Sequence, residues 1–199
     1  MEHYFSEMPN SSKYVQRRFS EVLRGNRIMF FTLPGVFSKS KVDEGSKLLI
    51  EKCIVNHGWN VLDLGCGYGA VGISIAKAFK VSLVMADVNE RALELARMNA
   101  EANDVKAQIV KSNIYEGLIG MEGSFDTILI NPPQKAGLHI CLAMIDKAPE
   151  FLKKGGFLQV VVRPRRGGFK IVERMNSVFG NCEKIAERGE FAIYASKYH

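Results

Sequence analysis

Two stretches of this sequence carry residues whose types and spacing can do chemistry, and the first is Val61 to Gly69. An apolar run that contains Asp63 ends there, and three alternate glycines follow, Gly65, Gly67 and Gly69. Glycine lets the backbone turn tightly and lets a ligand approach where a side chain would clash. The helix that we expect next presents unpaired amides to a carboxylate or a phosphate. The stretch therefore predicts a site for a nucleotide-like cofactor.

Three polar residues at strand ends narrow the cofactor class. Asp87 ends the next expected strand, and its spacing from the glycines fits a ribose-binding carboxylate in S-adenosylmethionine or dinucleotide sites alike. Asp63 favours S-adenosylmethionine, because a carboxylate directly before the glycines repels a pyrophosphate but can receive the methionine ammonium. Asn113 follows a third strand, where its amide can recognise the adenine edge. Helix capping or an ordinary turn is the structural alternative for these residues.

The second stretch is Asn131-Pro132-Pro133-Gln134, which follows the expected strand Thr127 to Ile130. Two prolines make the backbone rigid and donate no hydrogen bonds. The Asn131 side-chain oxygen and the Pro132 carbonyl can accept both hydrogens of a planar exocyclic amine, so that its nitrogen points at a sulfonium methyl group. A rigid strand-ending turn is the structural alternative. We therefore predict that Asn131 and Pro132 are catalytic and that Gln134 contacts the substrate.

Basic residues and one aromatic residue are candidates for contact with a nucleic acid. The formal net charge is +6, which favours polyanionic partners. Arg163, Arg165 and Arg166 follow an expected strand on the ligand side, where they can contact phosphates, although a solvated loop would have the same composition. Phe37 can stack on an extruded base, although a core position is the commoner one for an aromatic side chain.

Alternating strands and helices must position these groups. This alternation predicts an α/β fold with a doubly wound, mostly parallel sheet, whose ligands bind at the carboxyl ends of the strands. A tight connection near the end of the chain predicts one antiparallel strand. The expected strands are Val61 to Leu64, Val81 to Ala86, Ala107 to Lys111, Thr127 to Ile130, Phe157 to Val162, Glu183 to Glu187 and Phe191 to Ala195, and the expected helices are Ala70 to Phe79, Asn89 to Asn103, Leu138 to Phe151 and Phe169 to Phe179.

The first 42 residues are interpreted as an N-terminal extension or flap, and residues 43–199 as the catalytic domain. Lys13 to Gly25 has helix-like spacing, and Ile28 to Phe31 is typical of a strand. Asp43 can cap a helix that ends near Asn56 to Gly58. An arm that only closes the core is the alternative for the extension.

Composition places the chain in a broad class. Its 199 residues suffice for one domain with a full core, and no apolar stretch approaches the roughly 20 residues of a membrane span. The start lacks the order of a secretion signal, so we expect a cytoplasmic protein. The four cysteines have no paired spacing, so we expect free thiols and no bound metal.

The chain resembles the class I S-adenosylmethionine-dependent methyltransferases. More narrowly, it resembles the methyltransferase small domain family of the ribosomal RNA small subunit methyltransferase C type, in its compact archaeal form. The motifs that carry the resemblance are Gly35-Val36-Phe37-Ser38, Val42-Asp43-Glu44-Gly45-Ser46, Asp63 to Gly69, Ser112-Asn113, Asn131-Pro132-Pro133 and the tail Phe179 to Tyr194.

The resemblance implies a seven-stranded Rossmann-like sheet and S-adenosylmethionine as cofactor. Bacterial members carry a second domain that is not expected here, and they place Phe and His where this chain has Gln134 and Lys135. That difference removes the expected stacking partner of the base. The implied cofactor contacts are Asp63, Gly65, Gly67, Asp87, Asn113 and Asn131, the last of which also positions the amine.

The leading hypothesis is methylation of an exocyclic amine of a base in RNA, with guanine N2 of ribosomal RNA or tRNA as the first candidate. A protein glutamine N5-methyltransferase is the alternative, since a glutamine amide presents the same planar amine. Two other classes stay open, a non-catalytic RNA-binding module and an NAD-dependent oxidoreductase. The sequence makes no prediction of the oligomeric state.

Overall fold

Strands and helices alternate along the chain in the computed structural model, which describes residues 17–33, 41–132 and 137–199. The elements are β1 (Arg17–Leu23), β2 (Asn26–Thr32), α1 (Glu44–Lys52), β3 (Asn60–Leu64), α2 (Ala70–Ala78), β4 (Ser82–Asp87), α3 (Glu90–Ala102), β5 (Ala107–Lys111), β6 (Phe125–Ile130), α4 (Leu138–Phe151), β7 (Leu152–Val162), α5 (Phe169–Phe179), β8 (Glu183–Arg188) and β9 (Phe191–Lys197). Two short 3-10 turns, Glu116–Leu118 and Pro164–Arg166, complete them.

Seven strands form the central sheet, in the order β5-β4-β3-β6-β7-β9-β8. The strands from β5 to β7 are parallel, and β9 runs antiparallel to both of its neighbours. The strand order reverses between β3 and β6, which places the switch point at the carboxyl end of β3. The predicted α/β fold with a doubly wound, mostly parallel sheet is confirmed.

Helices cover both faces of the sheet because side chains of a strand alternate between its faces. Val61 of β3 packs with α1, α2 and α3 in one core cluster, whereas Leu62 packs with α4 and α5 in the other. Both residues are fully buried. The result is a three-layer domain whose parallel strands all end at one edge. In the described ranges, no helix has the length and apolar character to cross a membrane.

The N-terminal segment differs from its prediction. Residues 17–23 form a strand rather than a helix, and β1 pairs with β2 as an antiparallel hairpin. Its turn requires positive φ at Arg24 (45°) and Gly25 (76°), the geometry that matches the twist of two-residue hairpins. Phe19, Glu21 and Leu23 are less exposed than their neighbours, a period of two that the helical interpretation overlooked.

Two predicted element boundaries were wrong for identifiable reasons. Helix α1 ends at Lys52 rather than near Asn56, because Gln159 of β7 binds the backbone of Ile54 through both its Oε1 and its Nε2, each at 2.8 Å. Those bonds hold the chain in an extended conformation. Strand β7 begins at Leu152, five residues before the predicted Phe157, and a register shift in its pairing with β6 accommodates the extra length.

Candidate active site

The loop after β3 is tied to the end of β4 by backbone and side-chain hydrogen bonds. The amides of Gly65 and Cys66 both donate to the Ala86 carbonyl, at 2.8 and 3.0 Å. The Gly67 amide donates to the Asp87 Oδ2 at 2.9 Å. Asp87 also accepts from the Asn89 amide through its Oδ1, at 2.8 Å. The carboxylate predicted to bind a ribose therefore also holds the glycine loop in place.

Two glycines of this loop have different physical reasons to be glycine. Both have positive φ, 57° at Gly67 and 88° at Gly69. A Cβ on Gly69 would lie 2.8 Å from Ile73 Cδ1, so a side chain there would force the end of Ile73 to shift and would strain the backbone as well. A Cβ on Gly67 would meet nothing within 4 Å. The backbone at Gly67 is thus open to the approach of a ligand at the carboxyl edge of the sheet, and this edge, with Asp63 and Asp87, fits the adenosine cofactor that the sequence predicts.

Asp63 is a buried acid at the base of the loop, only 3% exposed. Its Oδ2 accepts a hydrogen bond from the Gly72 amide in the first turn of α2, at 2.8 Å. Burial raises the pKa of this carboxyl to about 7, the nearby Asp87 charge adds to the rise, and the Gly72 bond opposes it. Asp63 thus does cap a helix, as the structural alternative proposed. A neighbouring cation would stabilise its charged form, which fits the methionine ammonium.

Asn113 lies at the same edge, after β5. The Ser112 amide donates to the Asp87 carbonyl at 2.9 Å, which places this turn beside the end of β4. The Asn113 side chain is exposed and donates to Glu116 Oε1 at 3.2 Å. It lines a cavity of about 270 Å³ together with residues of the α4 face. Contact between Asn113 and adenine stays a prediction.

Asn131, directly after β6, is held by the first turn of α1. Its Nδ2 donates to Ser46 Oγ at 2.8 Å and lies 3.3 Å from Asp43 Oδ1. The same Asp43 oxygen caps α1 by accepting from the Ser46 amide at 3.0 Å. The amino group of Asn131 is the donor in both contacts, so it faces Ser46 and Asp43. The Asn131 Oδ1 is therefore the atom that remains for a ligand.

The sequence predicted Asp43 as a helix cap but missed its contact with Asn131. The signal was the Asp43-Glu44-Gly45-Ser46 run, in which a cap and a hydroxyl lie three residues apart. Gly45 lets this turn lie close to the sheet, since a Cβ there would be 3.0 Å from the Phe191 ring. The close packing brings the start of α1 within reach of the end of β6.

A cavity of about 430 Å³ lies next to Asn131 and Pro132. Arg163, Arg166 and Lys170 line it as well, so it combines an amide, a backbone carbonyl and three cations. A larger cavity of about 600 Å³ lies at the other end of β4 and β5, around Ser82 and Lys106, away from the predicted site residues.

The predicted arginines do not share one environment. Arg163 stacks on the Phe191 ring, 4.5 Å from its centroid, and lies 3.4 Å from Glu190. Arg166 is exposed and lies 3.2 Å from the same carboxylate. Arg165 is exposed on the same turn but is not among the described residues that line the cavity. The structure thus brings Arg163 and Arg166 to Asn131 and leaves Arg165 outside. Phe37, Pro133 and Gln134 lie outside the described residues.

Asn99 of α3 is a site residue that the sequence reasoning missed. It is fully buried, and its Nδ2 donates to the Tyr68 carbonyl of the glycine loop at 2.8 Å and to the Phe31 carbonyl at 3.0 Å. Its Oδ1 accepts from the Phe31 amide at 2.7 Å. Asn103, one turn later, binds both backbone groups of Met29 in the same way. Two asparagines at this spacing on an otherwise apolar helix face were the available signal.

Comparisons with known proteins agree with this geometry. The methyltransferase small domain family matches residues 27–195. The uncharacterized protein YbxB of Bacillus subtilis is 37% identical over 201 residues, which cover 98% of this chain and 98% of YbxB. The ribosomal RNA small subunit methyltransferase C of Hamiltonella defensa is 37% identical over 168 residues, 82% of this chain and 48% of that protein.

A solved structure with the same fold is the 16S rRNA N2 G1207 methyltransferase of Thermus thermophilus, in complex with AdoMet and guanosine. It superimposes with a TM-score of 0.85 at 29% identity, over 98% of this chain and 53% of that one. The chain thus spans about half the length of the methyltransferase C proteins it matches. The resemblance stated from the motifs is confirmed, and the chain belongs to the methyltransferase small domain family, within the class I S-adenosylmethionine-dependent methyltransferases.

Proposed function

We propose that this protein transfers a methyl group from S-adenosylmethionine to an exocyclic amine of a base in RNA, and that guanine N2 of ribosomal RNA is the acceptor. The observation that carries the proposal is the orientation of Asn131. Its amino group is bound by Ser46 and Asp43, which leaves its oxygen for a ligand beside a cavity lined by cations. The amide oxygen can accept a hydrogen bond from an amine, and the cations around it suit a polyanionic substrate.

The donor side of the proposal uses the loop between β3 and α2. Asp87 would bind the ribose hydroxyls, and Asp63 would stabilise the ammonium group. The open space beside Gly67 gives the cofactor room to lie against the backbone. The cofactor, when bound, supplies a methyl group on a sulfonium, which is already an activated leaving group.

The acceptor side needs orientation rather than a strong base. The Asn131 Oδ1 and the Pro132 carbonyl accept the two amine hydrogens, so that the nitrogen lone pair points toward the methyl carbon. Holding the reacting atoms in line near contact distance can lower a barrier by about 7 to 11 kcal/mol. As the carbon–nitrogen bond forms, the carbon–sulfur bond would break and S-adenosylhomocysteine would leave. The methylated amine would then lose its proton to solvent.

The cationic rim separates the RNA hypothesis from the glutamine alternative. A glutamine side chain presents the same planar amine to Asn131, so the acceptor geometry fits both. Arg163, Arg166 and Lys170 at the cavity favour a substrate with phosphates. The relatives named as ribosomal RNA methyltransferases, and the related structure that holds guanosine, support guanine in ribosomal RNA. Transfer RNA is the second candidate carrier.

The test is methyl transfer to macromolecules from a strain that lacks this protein. Purified protein and S-adenosylmethionine with a labelled methyl group are added to separate RNA and protein fractions, and the labelled RNA is digested to nucleosides. We expect label in ribosomal RNA, recovered as N2-methylguanosine. Label in protein alone would support the glutamine alternative and exclude the RNA assignment. Label in transfer RNA would make transfer RNA the substrate and leave methylation of an exocyclic amine as the reaction.

A further inference from the structure

One aromatic side chain next to the acceptor cavity lies in water. Phe169, the first residue of α5, is 62% exposed. Its two chain neighbours, Gly168 and Lys170, both line the cavity that contains Asn131. The phenylalanine therefore stands at the rim of the cavity on which the proposed chemistry depends. Ile119 is more exposed, at 81%, but does not line this cavity, whereas Leu138 lines it and is 36% exposed.

Cations outnumber carboxylates in the chain around Phe169. Arg165, Arg166 and Lys170 are exposed within four residues of it, against one exposed acid, Glu173. The neighbouring carboxylate Glu190 is already paired with Arg163 and Arg166, at 3.4 and 3.2 Å. The rim thus presents a flat apolar ring among cations, which is the combination that binds single-stranded nucleic acid through stacking and phosphate contacts.

The support under Phe169 is rigid. The Gly168 and Arg166 amides both donate to the Arg163 carbonyl, at 3.1 and 2.9 Å. The turn is so tight that a Cβ on Gly168 would lie 2.7 Å from that carbonyl oxygen. Ile171 and Met175 anchor the buried face of α5. The backbone that carries the ring is thus fixed beside the cavity.

We propose that Phe169 stacks on the base that neighbours the methylated nucleotide, while Arg165, Arg166 and Lys170 contact the adjoining phosphates. The inference rests on the proposed RNA methyltransferase function. A base that enters the cavity must leave its own stack, which removes a stacking partner from the next base. An exposed ring at the rim replaces that partner. This assigns RNA contact to a residue outside the cavity and the donor site.

The test compares variants of Phe169 with a matched control on the full-length protein. Phe169→Ala removes the ring, Phe169→Leu keeps an apolar side chain without a ring, and Phe169→Trp keeps a ring. Ile119→Ala is the control, because it removes a more exposed apolar side chain that does not line the cavity. The measured quantities are KM for ribosomal RNA and kcat for the transfer of the labelled methyl group to it. The affinity for S-adenosylhomocysteine is the check on folding.

We expect Phe169→Ala and Phe169→Leu to raise the KM for RNA about tenfold, the scale of one lost stacking contact, with a much smaller effect on kcat. Phe169→Trp should stay near the wild-type KM, and Ile119→Ala should match the wild type. A Phe169→Ala variant that behaves like Ile119→Ala would overturn the inference. So would a leucine variant that behaves like the wild type, because a contact that needs no ring is not base stacking.

Two further outcomes separate this inference from its premise. If the wild-type protein transfers no methyl group to any RNA, the proposed function fails and the stacking role fails with it. If RNA is methylated but the Phe169 substitutions leave the KM for RNA unchanged, the proposed function stands and the stacking role alone is wrong. Analytical sedimentation of the wild type and of Phe169→Ala tests the alternative that Phe169 packs against a second copy of this chain. A dimer that the substitution dissociates would overturn the RNA contact.

Discussion

Replacing Asn99 with alanine should weaken cofactor binding from a position outside the predicted cofactor contacts. The side chain makes three hydrogen bonds of 2.7, 3.0 and 2.8 Å, to the Phe31 amide, the Phe31 carbonyl and the Tyr68 carbonyl. Alanine leaves these backbone groups without those partners. At about 1 kcal/mol for each bond, the free energy of unfolding should fall by about 3 kcal/mol. For a protein of this size, the melting temperature should fall by about 6 to 12 °C.

Asn103→Ala is the matched control for this effect. Asn103 also makes three hydrogen bonds through its side chain, to the Met29 amide at 3.0 Å and to the carbonyls of Met29 and Asn99 at 2.7 Å each. Its loss should destabilise the protein by a similar amount. Of these two side chains, Asn99 alone bonds to the glycine loop, so its replacement removes a hydrogen bond to the Tyr68 carbonyl and that of Asn103 does not.

The assay is calorimetric titration with S-adenosylhomocysteine at 25 °C, where both variants remain folded, together with urea unfolding of each. One lost hydrogen bond that holds the loop should weaken binding by about five- to tenfold in Asn99→Ala. Asn103→Ala should bind within twofold of the wild type. Equal affinities in two variants of equal stability would refute the idea that Asn99 positions the cofactor loop.

Three other residues of the same site, Asp63, Ser46 and Gly69, give further predictions. Asp63 has its pKa raised to about 7 by burial, so the folded protein keeps a proton that the unfolded chain loses above about pH 4, and the free energy of unfolding should fall as pH rises from 4 to 7. S-adenosylhomocysteine carries a cationic amine, so its affinity should rise about tenfold from pH 6 to 8 by calorimetry, and a flat profile would contradict the role of Asp63. Ser46→Ala removes the 2.8 Å partner of Asn131. It should lower kcat for RNA by about tenfold and leave the affinity for S-adenosylhomocysteine unchanged. A change confined to that affinity would argue against a role of Ser46 in orienting Asn131. Gly69→Ala should lower the urea midpoint, because its φ of 88° and the 2.8 Å approach to Ile73 both oppose a side chain; a midpoint equal to that of the wild type would show that the loop relaxes freely.

Local periodicity predicted the sheet and its helices well. The bounds of β5, α4 and α5 were predicted to the residue. Glycines mark the helix ends, Gly137 before α4 and Gly168 and Gly180 on either side of α5. The helix predicted where β1 lies was wrong, because the period of two in this strand is short and its basic residues also fit a helix. Residues 13–16 of that prediction lie outside the described chain.

The site was predictable where one strand end carries the signal, and unpredictable where distant segments meet. Asp63 and Asp87 lie near the carboxyl ends of β3 and β4, and Asn131 follows β6, so the carboxyl-end rule places all three at one edge. The contact of Asn131 with Asp43 joins residues 88 positions apart. The contact of Asn99 with Phe31 spans 68 positions. Such pairs depend on how helices pack on the sheet, which no local pattern encodes.

Separating donor binding from methyl transfer in Asn131→Ala tests the central claim most directly. Affinity for S-adenosylhomocysteine and the rate of transfer to ribosomal RNA would be measured on the same preparation. If Asn131 positions the amine, its loss should leave the affinity within about threefold and lower kcat by about a hundredfold or more, the scale of lost orientation. Equal loss of binding and transfer would contradict the account, since Asn131 would then serve the donor site or the fold rather than the acceptor.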